Sequence, residues 1–452
     1  MDSAWPPTCI LLLGRTEMHA ILPAEMTVST GFVVIATLAI LAQSLVLFVA
    51  FFDPGLRYKI SSIRGEALDS PEFLYQLEAL TDAKRNRHTS LEVFTNGESF
   101  YPKELQAIQA ARRSVNLQNY IFQRGEVAGQ FVAALSERAR AGVRVNVLLD
   151  ALGSVGTTNH YFRQLREAGG RVAWYNPVRW NRLPRYNNRT HREILVIDGE
   201  TGFIGGAGTA DHWLLDKGEK RRWRDTMVRV KGDAVPNLQA SFAENWLESC
   251  GEILSGGDYF PICEAGADSS VLVINSTPSA GGSTRARMLF QMLIASAQHS
   301  IQITTPYFLP DKSLRDELVR ARRERGVEVS IVVPGSHSDH QLTRSSSRAA
   351  YGELLQAGAR IYEYEPAMIH AKILIVDGLW SVVGSTNFDN RSFGLNDEIN
   401  LAAFERNFAE RLQADFAADV AASRQISYEH WRRRSFFERA PELVGWVLQR
   451  QQ

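Results

Sequence analysis

Apolar residues in this chain fall in short unbroken runs, and two of those runs are copies of one another. Residues 373–376 are Ile-Leu-Ile-Val, closed by Asp377-Gly378 and followed by a second apolar run at 380–383. Four apolar positions ending in a turn dipeptide predict a buried strand, and Asp-Gly predicts a tight hairpin to a returning strand. The same pattern stands upstream at Ile194-Leu195-Val196-Ile197 and Asp198-Gly199. Residues 190–199 align without a gap to 369–378, and 205–208 to 384–387. The likeness extends to 117–122 with 303–308, 139–145 with 323–329, and 165–171 with 355–360. Each half therefore reads strand, helix, strand, helix, strand, motif hairpin, an alternation that predicts two α/β units with largely buried sheets. Two copies in one chain predict a pseudo-dimer with one active site at the shared face.

A different pattern opens the chain. Residues 26–52 carry no charge, and at 1.5 Å per residue a helix of that length, about 40 Å, exceeds the roughly 30 Å hydrocarbon core of a bilayer. The pattern divides the chain into a tail at 1–27, or residues upstream of a start at Met18 or Met26; a transmembrane helix at 28–52; and a connector at 53–90. The first α/β domain follows at 91–250, the second at 264–425, and a C-terminal segment at 426–452. Pro102 is expected in the first turn of an amphipathic helix. Arg57, Lys59 and Arg64 follow the span closely, which predicts a cytoplasmic body on an inner-membrane anchor. The C-terminal segment mixes Trp431, Phe436, Phe437 and Trp446 with arginines. It reads either as an amphipathic surface on an anionic membrane or as a packed closing helix.

Charge and cysteine content narrow the picture. Lys plus Arg and Asp plus Glu both number 50 among 452 residues, so the chain lacks the basic excess of a dedicated nucleic-acid binder. Three cysteines offer neither a disulfide framework nor a metal-ligand cluster, and a reduced compartment fits.

The candidate chemistry lies on the repeated hairpins. His370 and Lys372 are two apart, so on a strand they share a face. Gly384-Ser385 removes bulk and adds a hydroxyl, and Asn387 adds an amide. An imidazole, an ammonium and neutral donors around one point suit a phosphate group. The first copy keeps His191 and Gly206 but has Glu193 in place of lysine and Gly208 in place of asparagine. On charge alone, at about 5 Å and an effective dielectric near 20, that exchange costs on the order of 6 kcal/mol in phosphate binding, unless Glu193 is protonated. The loop 176–189, with Arg179, Arg182, Arg185, Arg189, Trp180 and Tyr186, reads as a headgroup-binding loop or a solvated one. His337 and His340 read as surface or lid residues.

The spacing His370-x-Lys372, Asp377, Gly384-Ser385-x-Asn387 resembles the signature of the phospholipase D superfamily. The anchor before tandem domains, residues 187–192 leading the first motif, and residues 305–311 in the second half resemble bacterial cardiolipin synthases most. The resemblance spans roughly residues 80–430. It implies a membrane-bound phosphatidyltransferase acting on phosphatidylglycerol or a related phospholipid through a phosphohistidine, with no metal or cofactor. Asp198 and Asp377 belong to the matched motifs and carry over as catalytic positions. His191 would attack, and His370 would protonate the leaving alcohol and deprotonate the incoming one. Lys372, Ser385 and Asn387 would hold the phosphate oxygens, with Gly206 and Arg189 as further substrate-binding positions. Asp225 and Glu398, each downstream of a motif histidine, would orient those histidines. The alternatives are a phospholipase D-type hydrolase, a lipid-binding relative weakened by Glu193, or a nuclease of the same superfamily.

Overall fold

Both apolar runs are central strands, and the sheets around them repeat one strand order. A computed structural model describes residues 29–52, 58, 60, 67–177, 187–216, 218, 221–262, 268–278 and 284–434, with side chains of the first helix given only as far as residue 45. The first sheet has seven strands in the order Thr89–Thr95, Thr226–Gly232, Thr201–Gly205, Ile194–Ile197, Ser114–Asn119, Arg144–Asp150, Arg171–Tyr175. The second repeats it as Val271–Ser276, Asn396–Phe404, Trp380–Gly384, Ile373–Val376, Ser300–Thr304, Glu328–Pro334, Arg360–Tyr364, with Ser423–Ile426 added at the far edge. In each sheet the last three of the shared strands run parallel, joined by crossover helices such as Glu126–Arg140 and Lys312–Glu324.

The unbroken apolar runs follow from burial on both faces. Leu195 and Ile197 point into the first unit's outer core with helices Gly97–Ala110 and Glu126–Arg140. Leu374 and Val376 do the same in the second unit with Arg285–Ser296 and Lys312–Glu324. The alternate residues, Ile194 and Val196 with Ile373 and Ile375, meet in one core shared by both sheets. Helices Val235–Cys250 and Arg406–Ala421 close that shared core through Leu238 and Leu412. Helix Gly97–Ala110 starts earlier than the proline suggested, so Pro102 lies inside it. The main-chain N–H that proline lacks is one the second turn would otherwise use.

The halves also exchange backbone. Arg189–Thr190, from the first half, runs parallel to the start of Asn396–Phe404, with Thr190 beside Asp397. Reciprocally, Ile369 bridges Arg224. Both hairpins turn as expected: Asp198 and Gly199 have φ of 56° and 68°, Asp377 and Gly378 of 55° and 63°. Successive positive φ values are what the two central residues of a type I′ turn require, and Asp-Gly supplies them cheaply within each three-residue connection.

Residues up to Asp53 form a separate unit. Its described residues form the helix Thr30–Phe52, of 23 residues. Phe32, Ile35, Leu38, Ile40, Leu41 and Leu45 on it are exposed. Counting described residues only, no helix is long and apolar enough to cross a membrane. The tail at 1–27, the arginine loop from 178 to 186 and the C-terminal residues beyond 434 lie outside the described residues.

Candidate active site

The exchanged backbone decides where the acids go. With Thr190 beside Asp397, the next residues, His191 and Glu398, meet. His191 Nδ1 lies 3.1 Å from both carboxylate oxygens of Glu398. With Ile369 bridged to Arg224, His370 donates its N–H to the Arg224 carbonyl at 2.7 Å, and His370 Nδ1 lies 2.9 Å from Asp225 Oδ2. The sequence reading took each acid with the histidine of its own repeat; the structure crosses them, because the partner sits one register step along a strand of the opposite half. Each carboxylate fixes Nδ1, which leaves Nε2 of each ring as the nitrogen for chemistry.

Both acids are themselves held. Asp225 accepts the Thr226 N–H at 2.8 Å and the Trp213 indole N–H at 2.9 Å. Burial pushes its carboxyl up, but the hydrogen bond and charge of His370, with Lys372, outweigh burial and hold it below the ordinary range. Glu398 accepts a short hydrogen bond from Ser385 Oγ, which in turn accepts the Ile399 N–H at 3.0 Å. Ser385 is thus committed to positioning Glu398, not to the phosphate oxygens expected of it. At the equivalent position Gly206 leaves room for Asp225: a Cβ there would stand 2.5 Å from Asp225 Oδ1. Gly206 therefore allows close approach of the acid.

Lys372 donates to the His370 carbonyl at 2.7 Å, and its Nζ lies 2.9 and 3.1 Å from the two ring nitrogens of His370. Burial lowers its affinity for a proton, opposed by Asp225, Glu398 and Glu193. His370 is lowered too, first by burial and then by Lys372, against the pull of Asp225. Glu193 is buried, and its carboxyl accepts from the Asn119 side-chain amide at 2.6 Å and the main-chain N–H groups of Tyr120 and Ile121 at 3.2 and 3.4 Å. Burial raises its pKa well above the ordinary carboxylate range. Gly208 leaves the space beside it: a Cβ there would meet the Ile121 carbonyl oxygen at 2.3 Å and Glu193 Oε1 at 3.2 Å. The first copy thus holds a carboxyl bound to the end of strand Ser114–Asn119 where the second holds an ammonium bound to its histidine.

Three further expectations move. Asp198 accepts the N–H groups of Arg112, Arg113 and Ser114 at 2.9, 2.7 and 2.9 Å. Asp377 does the same with Gln298, His299 and Ser300 at 2.8, 2.8 and 2.7 Å. Both motif aspartates therefore pin the hairpin turn to the entry of the neighbouring strand, at the end of the hairpin away from the histidines. Arg189 is fully buried. Its guanidinium is engaged with Asp150 at 3.5 Å and with the carbonyls of Asn176 and Asn188, both at 2.8 Å, so its charge is spent in the scaffold. Arg192 lies on the opposite strand face, as the alternation required, bonded to Ser241, Glu244 and Asn245. Asn387 is buried, and its Oδ1 has no hydrogen-bond partner among the described residues.

Aromatic residues complete the walls, of which Tyr307 lies in a stretch, 305–311, singled out in the sequence. Trp213 and Trp223 pack at 5.5 and 5.3 Å from the His370 ring, with His212 between them at 4.2 and 4.0 Å. Burial lowers His212 to about 4. Tyr120 meets His191 edge-on at 5.1 Å. Tyr307 donates to Asp339 at 2.6 Å and faces exposed His340 at 5.9 Å. The sequence signal for these was aromatic residues close to the first motif, Trp213 and Trp223, with Tyr307 inside the 305–311 stretch. Among the described residues no group of three or more His, Cys, Asp or Glu could hold a metal ion.

Two separate stretches, 105–246 and 290–420, match the family described as "Cardiolipin synthase, PLD-like domain". The cardiolipin synthase of Geobacillus kaustophilus is 35% identical over 359 residues, covering 79% of this chain and 71% of the relative. The major cardiolipin synthase of Bacillus subtilis is 33% identical over 383 residues, covering 84% and 79%. Among solved structures, the phosphatidylserine synthase of Haemophilus influenzae has the same fold, with a TM-score of 0.61 at 15% identity over 83% of this chain and 96% of that one. With two matching domains, paired histidines at their junction and relatives at this identity, the chain belongs to the cardiolipin synthase family of phospholipase D-like proteins.

Proposed function

We propose that this protein is a membrane-anchored phosphatidyltransferase that joins two phosphatidylglycerol molecules into cardiolipin and glycerol. The observation that carries the reading is the crossed pair of acid–histidine contacts, His191 with Glu398 and His370 with Asp225. In each the acid takes Nδ1 and leaves Nε2 as the nitrogen for chemistry, with Lys372 Nζ 3.1 Å from that of His370. One Nε2 attacks the phosphorus of the first lipid, forming a P–N bond as the P–O bond to glycerol breaks. The other histidine gives the departing oxygen its proton, then takes the proton of the incoming hydroxyl as that oxygen displaces the histidine from phosphorus. Lys372 lies where its charge meets the phosphate oxygens, and Asn387 offers a neutral amide beside it. Glu193 does not oppose this reading, since its carboxyl is turned into the scaffold and burial favours its neutral form.

The anchor belongs to the same proposal. The charge-free sequence 26–52 and the exposed apolar side chains of helix Thr30–Phe52 support a single pass through the inner membrane. The basic residues after it support a cytoplasmic body. Full-length protein in phosphatidylglycerol vesicles, with labelled lipid, tests the reaction. Cardiolipin and free glycerol in equal amounts are expected. Phosphatidic acid as the sole product would make the enzyme a hydrolase, and no turnover would leave a lipid-binding role.

A further inference from the structure

The two halves of the site differ in the charged group that stands beside each histidine at the third motif position. Both rings rest on a carboxylate from the opposite half. Both sit at the start of an apolar strand with the same neighbours in the sheet. Among the described residues, only His370 has an ammonium against its ring, with Lys372 Nζ at 2.9 and 3.1 Å. At the equivalent place beside His191 stands Glu193, which bonds to Asn119 and the chain at 120–121 and brings no positive charge. Among the described residues, Glu398 is the only side chain hydrogen-bonded to His191.

Resting on the phosphatidyl-transfer reading above, we infer that the lysine–glutamate difference assigns the two roles: His370 Nε2 is the nucleophile and His191 is the proton donor. This reverses the order that the family resemblance implies. An attacking imidazole must be neutral, and an ammonium within 3 Å of the ring disfavours a second positive charge there. The proton donor is then the other imidazole, His191, whose Nδ1 is held 3.1 Å from both carboxylate oxygens of Glu398. Burial and Lys372 both act on His370 in the direction the assignment needs. Lys372 then stands beside the phosphorus under attack, where negative charge on the phosphoryl oxygens is greatest.

In the first step the His370 Nε2–P bond forms, the P–O bond to the leaving alcohol breaks, and the proton on His191 Nε2 moves to that alcohol's oxygen. In the second, the acceptor hydroxyl returns a proton to His191, its oxygen bonds to phosphorus, and the P–N bond breaks. Atoms and charge balance over the cycle, and no co-reactant is needed.

The roles separate with a leaving group that needs no proton. The p-nitrophenyl ester of phosphatidic acid releases nitrophenolate, which departs unassisted near neutral pH, so the first turnover requires the nucleophile and not the acid. Full-length wild type, His191→Ala and His370→Ala are compared in mixed micelles by stopped-flow release of nitrophenolate, with labelled phosphatidylglycerol turnover in parallel. His191→Ala is expected to keep the nitrophenolate burst within about tenfold of wild type while losing phosphatidylglycerol turnover at least 1,000-fold. His370→Ala is expected to lose both. Alkaline quenching followed by peptide mass spectrometry is expected to place the phosphatidyl adduct of the wild type on His370. A burst surviving in His370→Ala and absent from His191→Ala, or the adduct on His191, would overturn the assignment while leaving the transferase reading intact. A wild type that turns over neither lipid would overturn both.

Discussion

Restoring the lysine at position 193 is the change that the motif alone recommends, and the structure predicts that it harms the protein. Glu193 is acceptor to three donors: the Asn119 amide at 2.6 Å and two main-chain N–H groups at 3.2 and 3.4 Å. An ammonium there accepts none of them. A buried donor left without its acceptor costs about 1–3 kcal/mol; with two of the three bonds already long, the sum is about 3–4 kcal/mol. Glu193 also lies in the field of Lys372, and two ammonium groups at ~6 Å and an effective dielectric of 20 repel by about 3 kcal/mol. Glu193→Lys should therefore cost roughly 6 kcal/mol, a large share of an ordinary stability of about 5–15 kcal/mol. With about 2.1 cal/mol/K of unfolding entropy per residue over roughly 400 residues, that is a fall in Tm of about 7 °C. Glu193→Gln keeps the shape, the acceptor oxygen and the neutral charge, and should change stability by about 1 kcal/mol or less. The assay is thermal unfolding of the full-length protein in detergent, with phosphatidylglycerol turnover measured on the same preparations. The reasoning fails if Glu193→Lys unfolds at the wild-type temperature, or if it raises turnover tenfold or more.

Four further outcomes follow from the same geometry. Asp225→Asn and Glu398→Gln should each lower phosphatidylglycerol turnover by roughly 1,000- to 10,000-fold without loss of fold, because each fixes the tautomer of a histidine in the opposite half; circular dichroism beside the turnover assay checks both parts. Asp377→Ala and Asp198→Ala should behave oppositely, losing about 2–4 kcal/mol of stability with the three main-chain bonds. Their kcat per folded molecule should stay within about threefold of wild type in the same two assays. The acid limb of the kcat/KM profile should lie on the acid side of the ordinary histidine range: burial and Lys372 both lower His370, so it gains its proton, and activity is lost, at lower pH than for a free imidazole. Lys372→Met removes the second of those causes and should move the limb upward while lowering kcat at least 100-fold, since the ammonium beside the phosphate is lost.

Much of the fold was legible because its pattern is local. Four-residue runs such as 194–197 and 373–376 are apolar at every position because both faces are buried, and Asp-Gly at positive φ closes each hairpin. The histidines stood out for the same reason, being fixed a few residues from a run that sequence can register. The partnership of the acids was not legible. Thr190 beside Asp397 and Ile369 beside Arg224 are contacts between halves, and spacing within one repeat carries no trace of them. Local reading also misassigned groups whose partners are remote. Ser385 looked like a phosphate donor, yet it serves Glu398. Asp198 and Asp377 looked catalytic, yet they serve main-chain N–H groups of distant segments, as at 112–114. Glu193 looked like a lesion because Asn119 and the chain at 120–121, which receive it, lie in another strand and the turn after it.

The central claim is that one site, built from both halves, transfers a phosphatidyl group. The most direct test is turnover of labelled phosphatidylglycerol by full-length protein in vesicles, with wild type, His191→Ala and His370→Ala side by side. The account predicts cardiolipin from the wild type and a loss of at least 1,000-fold in each variant. Turnover that survives either substitution, or a folded wild type that forms no phosphatidyl-transfer product, would contradict it.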